Sequence, residues 1–530
     1  MADKKYFYVT TPIYYASGYL HIGHAYSTSI ADSLARYERL RGKQVFFLTG
    51  DDEHGQKIEK KAEEAGLKPQ AYVDGIAASF RETWKQMHIS NTDFIRTTQP
   101  RHVAVVKKVF SLLLKQGDVY KGEYKGWYCT PDESFFAQSQ LNQPGNLCPV
   151  CGRPCQIEAE EAFFLNCRKY IPRLLAFYKD HPDFAPGGKL TEVINTFIKP
   201  GLEDLCITRT SFDWGIPIDE DPKHVVYVWI DALLNYISAL GYLSADDTLF
   251  REYWGPDAEI VQLVGREINR FHTIYWPILL FALGLRLPDH ILVHGLLVTR
   301  SGVKLSKSLG NAPQPKPIID RYGVDALRYY MVRAVNFGED GMFTPSLFVN
   351  LTNTDLANGY GNLVNRTIAM IRKFTAGTIP VWAEPASPLT AKLYSEISLF
   401  VAQYETEMDA YNVTKGSETA MRIVGAANKY IDDMAPWKLD KEGNGAAVAE
   451  TMLTLANAIR TASVLLSPFL VTKAVMALDE LNVPADLRDF ARLEDFKSLG
   501  GIEVNEPIPL FPRLDKEAEI KWLENLIDVK

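Results

Sequence analysis

An α/β alternation that is interrupted once and then resumes constrains the fold more than any other feature of this chain. Tyr6 to Thr11 alternates as a strand, Pro12 ends it, and Ile30, Leu34, Tyr37 and Leu40 then recur at helical spacing. Gln44 to Leu48 reads as the next apolar strand, followed by the turn Gly50-Asp51-Asp52 and two charged helices that reach about Met87. A strand–helix–strand order implies a parallel sheet with covering helices. Near Tyr120 the pattern gives way to a Gly-, Pro- and Cys-rich stretch with short strands, which lasts to about Pro222 and reads as an insertion. Strands at Val225 to Trp229 and Ile260 to Val264, a helix around Ile268 to Leu283 and a strand at Ile291 to His294 then supply the second half of the sheet. From about Ser346 to Leu478, long amphipathic helices separated by Pro and Gly, such as Leu351 to Phe374 and Ala446 to Leu466, predict a separate α-helical bundle.

With 530 residues, 47% of them hydrophobic, the chain has material for two or three domains, each with its own core. The longest apolar run, Tyr275 to Leu285, is short of the ~20 residues that span a bilayer, and the start MADKKYFYVT has no apolar signal core. A soluble cytoplasmic protein without a membrane partner is expected. Five of the six cysteines lie between Cys129 and Cys167, which suggests a metal site in a reducing compartment more than a disulfide framework. A net charge of −8 argues against indiscriminate coating of DNA or RNA, although a locally basic face could hold one RNA.

Two short motifs carry phosphate chemistry. His21-Ile22-Gly23-His24 lies where the first strand's loop enters a helix, so backbone N–H groups and the helix dipole face an incoming anion. Two imidazoles there can donate to the phosphates of ATP, and Gly23 leaves room for a flat adenine. A His-x-x-His at a helix start is otherwise an ordinary cap or core pair. Much later, Lys304-Leu305-Ser306-Lys307-Ser308 follows a hairpin-like segment turning at Ser301-Gly302 and ends in Gly310-Asn311. Its two lysines could clamp the β- and γ-phosphates and stabilise charge on a leaving pyrophosphate; a solvated basic turn is the bland alternative.

Both motifs, in this order and each expected at the end of a strand of one sheet, resemble the signatures of class I aminoacyl-tRNA synthetases, with Leu305 where the family usually has Met. Further segments resemble the methionine-specific members, from Tyr8 to about Trp437. The resemblance implies a Rossmann-like catalytic domain in two halves, 1–118 and 225–297, and a connective insertion at 119–224. A stem-contact region at 298–350 and an anticodon-binding helical domain at 351–530 would follow. It implies that Ile13 and Tyr15, in Thr11-Pro12-Ile13-Tyr14-Tyr15, line a methionine pocket and that Asp52 binds the substrate α-ammonium. Asp51 and Asp52 could instead cap the following helix. Trp229, Ala232, Leu233 and Tyr236 would form the pocket's helical wall, with the Tyr236 hydroxyl donating weakly to sulfur; Ile268 and His272 would help to enclose the side chain, and Trp276 would pack beneath it. Trp229, Tyr236 and His272 at this spacing could equally be core residues.

The family pattern Gly-Lys-Asp at the ATP site is here Gly265-Arg266-Glu267, which keeps charge and changes geometry. Asn358, Asn362 and Arg366, four apart on one helix face, and Trp437 match the residues that read the anticodon; a base stacked on Trp437 would contribute about 1–3 kcal/mol. In the insertion, Cys129, Asp132, Cys148 and Cys151 have the paired spacing of a zinc knuckle with one cysteine replaced, and Cys155 is close enough in sequence to compete for the fourth position. One structural Zn2+ is expected, against the alternative of a degraded knuckle without metal.

The implied activity is ATP-dependent activation of L-methionine to methionyl-adenylate, with Mg2+ accompanying ATP, and transfer to the 3′ adenosine of tRNA(Met), including the initiator. His21, His24, Lys304 and Lys307 would act on the phosphates. The isoleucine, valine and leucine enzymes are rivals, but they carry a larger hydrolytic insertion than the one here. The other alternative, a nucleotide- or RNA-binding relative that has lost catalysis, fits poorly with these four intact residues. The sequence ends soon after the helical bundle, from which a monomer is expected.

Overall fold

The computed structural model describes residues 4–130, 134–136, 138, 141–298, 312–381 and 383–527. Lys304, Lys307 and Asp132 lie outside the described residues, as do Ser301 and Gly302. The chain divides into two compact units. The first comprises Met1–Tyr19, Gln44–Glu82 and Asn91–Gly295; the second comprises Leu20–Lys43, Thr83–Ser90 and Leu296–Lys530.

The first unit is built on a parallel sheet in the spatial order His290–His294, Ala258–Gly265, Tyr6–Thr10, Gln44–Asp52; Tyr14–Tyr15 and Asp93–Arg96 both pair with the last of these strands. Every residue of Tyr6–Thr10 is buried, as a central strand covered on both faces requires. The turn reading of Gly50-Asp51-Asp52 is corrected: all three belong to the strand Gln44–Asp52, and the next helix, Gln56–Glu64, has Gly55 at its N-cap. Gly50 is needed there, since a Cβ would lie 2.1 Å from the carbonyl oxygen of Ile95 on the neighbouring strand.

The interruption is a four-stranded antiparallel sheet in the order Ser134–Phe136, Val119–Cys129, Gln156–Leu165, Leu205–Cys206. When the α/β pattern resumes, only Val225–Val226 is strand; Val228 and Trp229, expected in a strand, open the helix Val228–Ser238. The helix expected around Ile268 to Leu283 is three pieces, a 3₁₀ turn at Arg266–Ile268, a π-helical turn at Phe271–Tyr275 and an α-helix at Trp276–Ala282.

In the second unit, helices Pro388–Asp409, Val413–Met434 and Gly445–Leu466 start at Ser387, Asn412 and Asn444, whose side chains accept backbone N–H groups. The expected helix Leu351 to Phe374 is α-helical only from Asn362 onward, because Thr352–Gly361 is π-helical. The segment before the lysine motif also differs from expectation. Leu297–Val298 pairs with Gly341–Met342 in a two-stranded sheet of its own and does not extend the large sheet. No helix among the described residues is long and apolar enough to cross a membrane.

Candidate active site

Within the first unit, strand ends and one helix converge on a buried aromatic cluster, the candidate amino-acid pocket. Tyr15 and Asp52 are register partners, and the N–H of Ala16 donates to the Asp52 carbonyl at 2.8 Å. Asp52 is almost wholly buried, and the Lys57 ammonium lies 5.5 Å from the centre of the Tyr15 ring. Helix Val228–Ser238 contributes Trp229, Ala232, Leu233 and Tyr236, the last three buried. The Trp229 ring is stacked on Phe271 at 3.5 Å and 5°. Leu233, Tyr236 and Trp276 share one apolar cluster, against which Ile13 and Ile268 pack.

The polar atoms of this pocket form a directed chain. His272 Nδ1 lies 3.0 Å from the Ile268 carbonyl oxygen and therefore donates to it; Nε2, left as the acceptor, lies 2.7 Å from the Tyr236 hydroxyl. The hydroxyl proton of Tyr236 is thus committed to His272, which corrects the expectation that it donates to a substrate sulfur. Burial holds His272 down at about 4, so the ring is neutral at physiological pH. Around His272, where the imidazole is neutral and the walls are aromatic, the pocket suits an apolar, polarizable side chain such as a thioether and penalises a charged one.

Gly265 ends the strand Ala258–Gly265, and a Cβ on it would lie 2.7 Å from a carboxylate oxygen of Glu267. Arg266 and Glu267 are exposed, with the Arg266 guanidinium 3.8 Å from Glu192.

The histidines of the first motif belong to the second unit, at the start of helix Ile22–Leu40. They form a reciprocal cap: His21 Nδ1 accepts from the Gly23 N–H at 3.0 Å, and His24 Nδ1 accepts from the His21 N–H at 3.0 Å. The rings lie 3.9 Å apart between centres. Because both Nδ1 atoms accept, each neutral ring carries its proton on Nε2, the atom suited to donate to an anion. The cap and the anion-binding readings are therefore compatible.

Asn358 and Asn362 are exposed, and Arg366 is half-buried. The Arg366 guanidinium lies 5.2 Å from the Trp437 ring centre and 3.3 Å from an Asp432 carboxylate oxygen. Ala435, in the left-handed region at φ 45°, and Pro436 turn the chain from helix Val413–Met434 into the short helix that carries Trp437.

In the insertion, the sulfurs of Cys129, Cys148 and Cys151 lie within 4.8 Å of one another, and the Val150 N–H donates to Cys148 Sγ at 3.4 Å. Three converging thiols, one already accepting a backbone N–H that favours its thiolate, fit a tetrahedral zinc site. The Cys155 sulfur is not among the three that share this distance, but Cys155 is buried in one small cluster with Cys129, Cys148, Phe136 and Leu141. A second group, Glu161, Asp221 and His224, is crossed by the ammonium groups of Lys121 and Lys223 and reads as an ion-pair network.

Residues 7–155 and 139–368 match the family model described as tRNA synthetases class I (M), and residues 381–528 match the anticodon binding domain of methionyl tRNA ligase. The chain belongs to the methionyl-tRNA synthetases. It is therefore an aminoacyl-tRNA ligase. A methionine–tRNA ligase of Halalkalibacterium halodurans is 48% identical over 99% of this chain and 81% of its own length. One from Bacillus subtilis is 47% identical, with 98% and 80% covered. The Mycobacterium tuberculosis methionyl-tRNA synthetase solved in complex with methionyl-adenylate superposes with a TM-score of 0.91 at 37% identity, over 96% of this chain and all of that one.

For a synthetase of this family, sequence reasoning passed over one group in the first unit. Asp231, two residues after Trp229 and next to Ala232, is fully buried and accepts from His54 Nδ1 and His102 Nε2, each at 2.7 Å. An acid inside the apolar run Val228 to Leu234 was the available signal. Its partners, 177 and 129 residues away, were not legible.

Proposed function

We propose that the first unit binds L-methionine with its α-ammonium on Asp52 and its thioether among Ile13, Tyr15, Trp229, Ala232, Leu233, Tyr236, Ile268 and His272. The observation that carries this reading is the neutral Tyr236–His272–Ile268 hydrogen-bond chain in a buried aromatic pocket. Gly23, Gly265, Arg266 and Glu267 hold the nucleotide of Mg·ATP. The Nε2–H groups of His21 and His24 donate to its phosphates, and Lys304 and Lys307 neutralise the departing pyrophosphate. The methionine carboxylate attacks the α-phosphorus, pyrophosphate leaves, and the 3′ adenosine of tRNA(Met), the initiator included, then takes the methionyl group from AMP. Binding and electrostatics lower the barrier, and no covalent enzyme nucleophile takes part.

Asn358, Asn362, Arg366 and Trp437 read the anticodon. Cys129, Cys148 and Cys151, with Asp132 as the fourth ligand, hold one structural zinc that stiffens the knuckle in a cytoplasmic protein. We assign 1–118 and 225–297 to the catalytic domain, 119–224 to the insertion, 298–350 to the stem-contact region and 351–530 to the anticodon domain. Amino-acid-dependent exchange of pyrophosphate into ATP, run across the standard amino acids, tests the activation step. Methionine should dominate, and silence with methionine would overturn the reading.

A further inference from the structure

The carboxylate of Asp231 joins two parts of the amino-acid pocket that are far apart in sequence. Helix Val228–Ser238 carries Asp231 together with Trp229, Ala232, Leu233 and Tyr236. The imidazole that donates to Asp231 at 2.7 Å belongs to His54, two residues beyond Asp52. His54 is itself set in place: its ring lies 5.5 Å from that of Trp214, the Trp214 indole N–H donates to the Glu53 carbonyl at 2.6 Å, and the Gly55 N–H donates to the Trp214 carbonyl at 3.0 Å. On its other oxygen Asp231 accepts from His102, whose Nδ1 meets the Ser238 hydroxyl at 2.7 Å. Burial pushes the Asp231 carboxyl up, but the His54 and His102 imidazoles outweigh it and leave it below the ordinary carboxylate range. Both oxygens of a fully buried anion are thus satisfied by imidazole N–H groups, one on the segment that ends the Asp52 strand and one on helix Pro100–Gln116.

We infer that His54 and Asp231 are positioning residues that hold Asp52 and the helical wall of the pocket at a fixed spacing, so that ammonium and side chain of the amino acid are gripped together. The inference rests on the proposed role of Asp52 and adds two residues that touch no substrate. A carboxylate and an apolar wall grip one small molecule well only when neither moves relative to the other, since ordering them on binding would cost affinity. A hydrogen bond to a buried charge is among the stronger links available.

His54→Asn and His54→Gln distinguish positioning from mere stability. Both side chains are neutral amides, but Asn places an N–H near the former Nδ1 and Gln places it near the former Nε2. In pyrophosphate exchange, His54→Gln should raise the KM for methionine about tenfold, the effect of losing one such bond, with kcat and the KM for ATP changed less than about twofold. His54→Asn should recover most of that loss. Equal methionine KM values for the two variants, or equal changes in all three constants, would overturn the inference whatever happens to Tm. Asp52→Asn, measured alongside, separates the layers. If it leaves the methionine KM unchanged, the role of Asp52 fails; if it raises the KM and the two His54 variants do not differ, only the positioning role fails.

Discussion

The backbone N–H of Ile22 donates to the carbonyl oxygen of Pro313 at 3.0 Å. Ile22 is the first residue of the helix that carries His24, and Pro313 comes six residues after Lys307, so one main-chain bond ties the two signature regions together within the second unit. Proline is well tolerated at the first position of a helix, and His21 before it already has the extended backbone that a following proline requires. Ile22→Pro therefore removes this N–H, with some loss of buried packing, while Ile22→Val keeps the N–H and loses one methylene. We expect Ile22→Pro to lower kcat of pyrophosphate exchange well below the value for Ile22→Val. Equal kcat in the two variants would deny the bond a part in activation.

Lys307→Ala should slow adenylate formation by about 3 kcal/mol, comparable with losing one oxyanion donor, while methionine affinity stays nearly intact, because in the proposed mechanism the charge acts mainly on the leaving pyrophosphate. Rapid-quench kinetics with an unchanged first step would remove Lys307 from the chemistry.

His272 gives the pocket a pH signature. An unfolded chain takes up this proton near pH 6.5, whereas burial delays uptake in the folded state to about 4. Between those values the unfolded state binds more protons, so stability is fully present above pH 6.5 and falls as pH drops towards 4, by on the order of 3 kcal/mol. Protonation would also cost His272 Nε2 its role as acceptor from Tyr236. Urea unfolding of wild type and His272→Gln at several pH values should show a shallower acid slope for the variant; parallel slopes would assign the loss to other groups.

Trp437→Ala should weaken charging of tRNA with a CAU anticodon and spare pyrophosphate exchange. It also removes the ring over which the Arg366 guanidinium lies, so Arg366 should become less ordered at the same time. Parallel loss in both assays would mark Trp437 as a packing residue of the bundle.

Protein purified with zinc available should carry one zinc per chain. Asp132→Ala should release it and Cys155→Ala should retain it, because the Cys155 sulfur, although buried beside Cys129 and Cys148, is not among the three that all lie within 4.8 Å of one another. Release by Cys155→Ala alone would move the fourth ligand.

Elements that depend on local spacing were legible in the sequence: the strand Tyr6–Thr10, the helix that follows His21, and the grouping of Cys129 with Cys148 and Cys151. Val228 and Trp229 were not. They end a run of β-branched and aromatic residues with strand propensity, and tertiary packing turns them into a helix start. The pairing of His54 with Asp231 escaped because it depends on how the chain returns after the whole insertion. The π-helical turns also escaped, since an apolar stripe at helical spacing says nothing about which carbonyl each N–H selects.

Those π-helical turns mean that the address of a side chain is set by a count of residues as much as by their identity. His272 lies inside Phe271–Tyr275, and Asn358 lies inside Thr352–Gly361. A π turn accommodates one residue more than an α turn, so deleting a single residue from Phe271–Tyr275 can restore a regular helix without breaking it. The helix would survive with its flanks in register, but the residues within the turn would each move to a different position around it, and the imidazole that meets Tyr236 would face elsewhere. Here a shorter, more regular chain would be the damaged one.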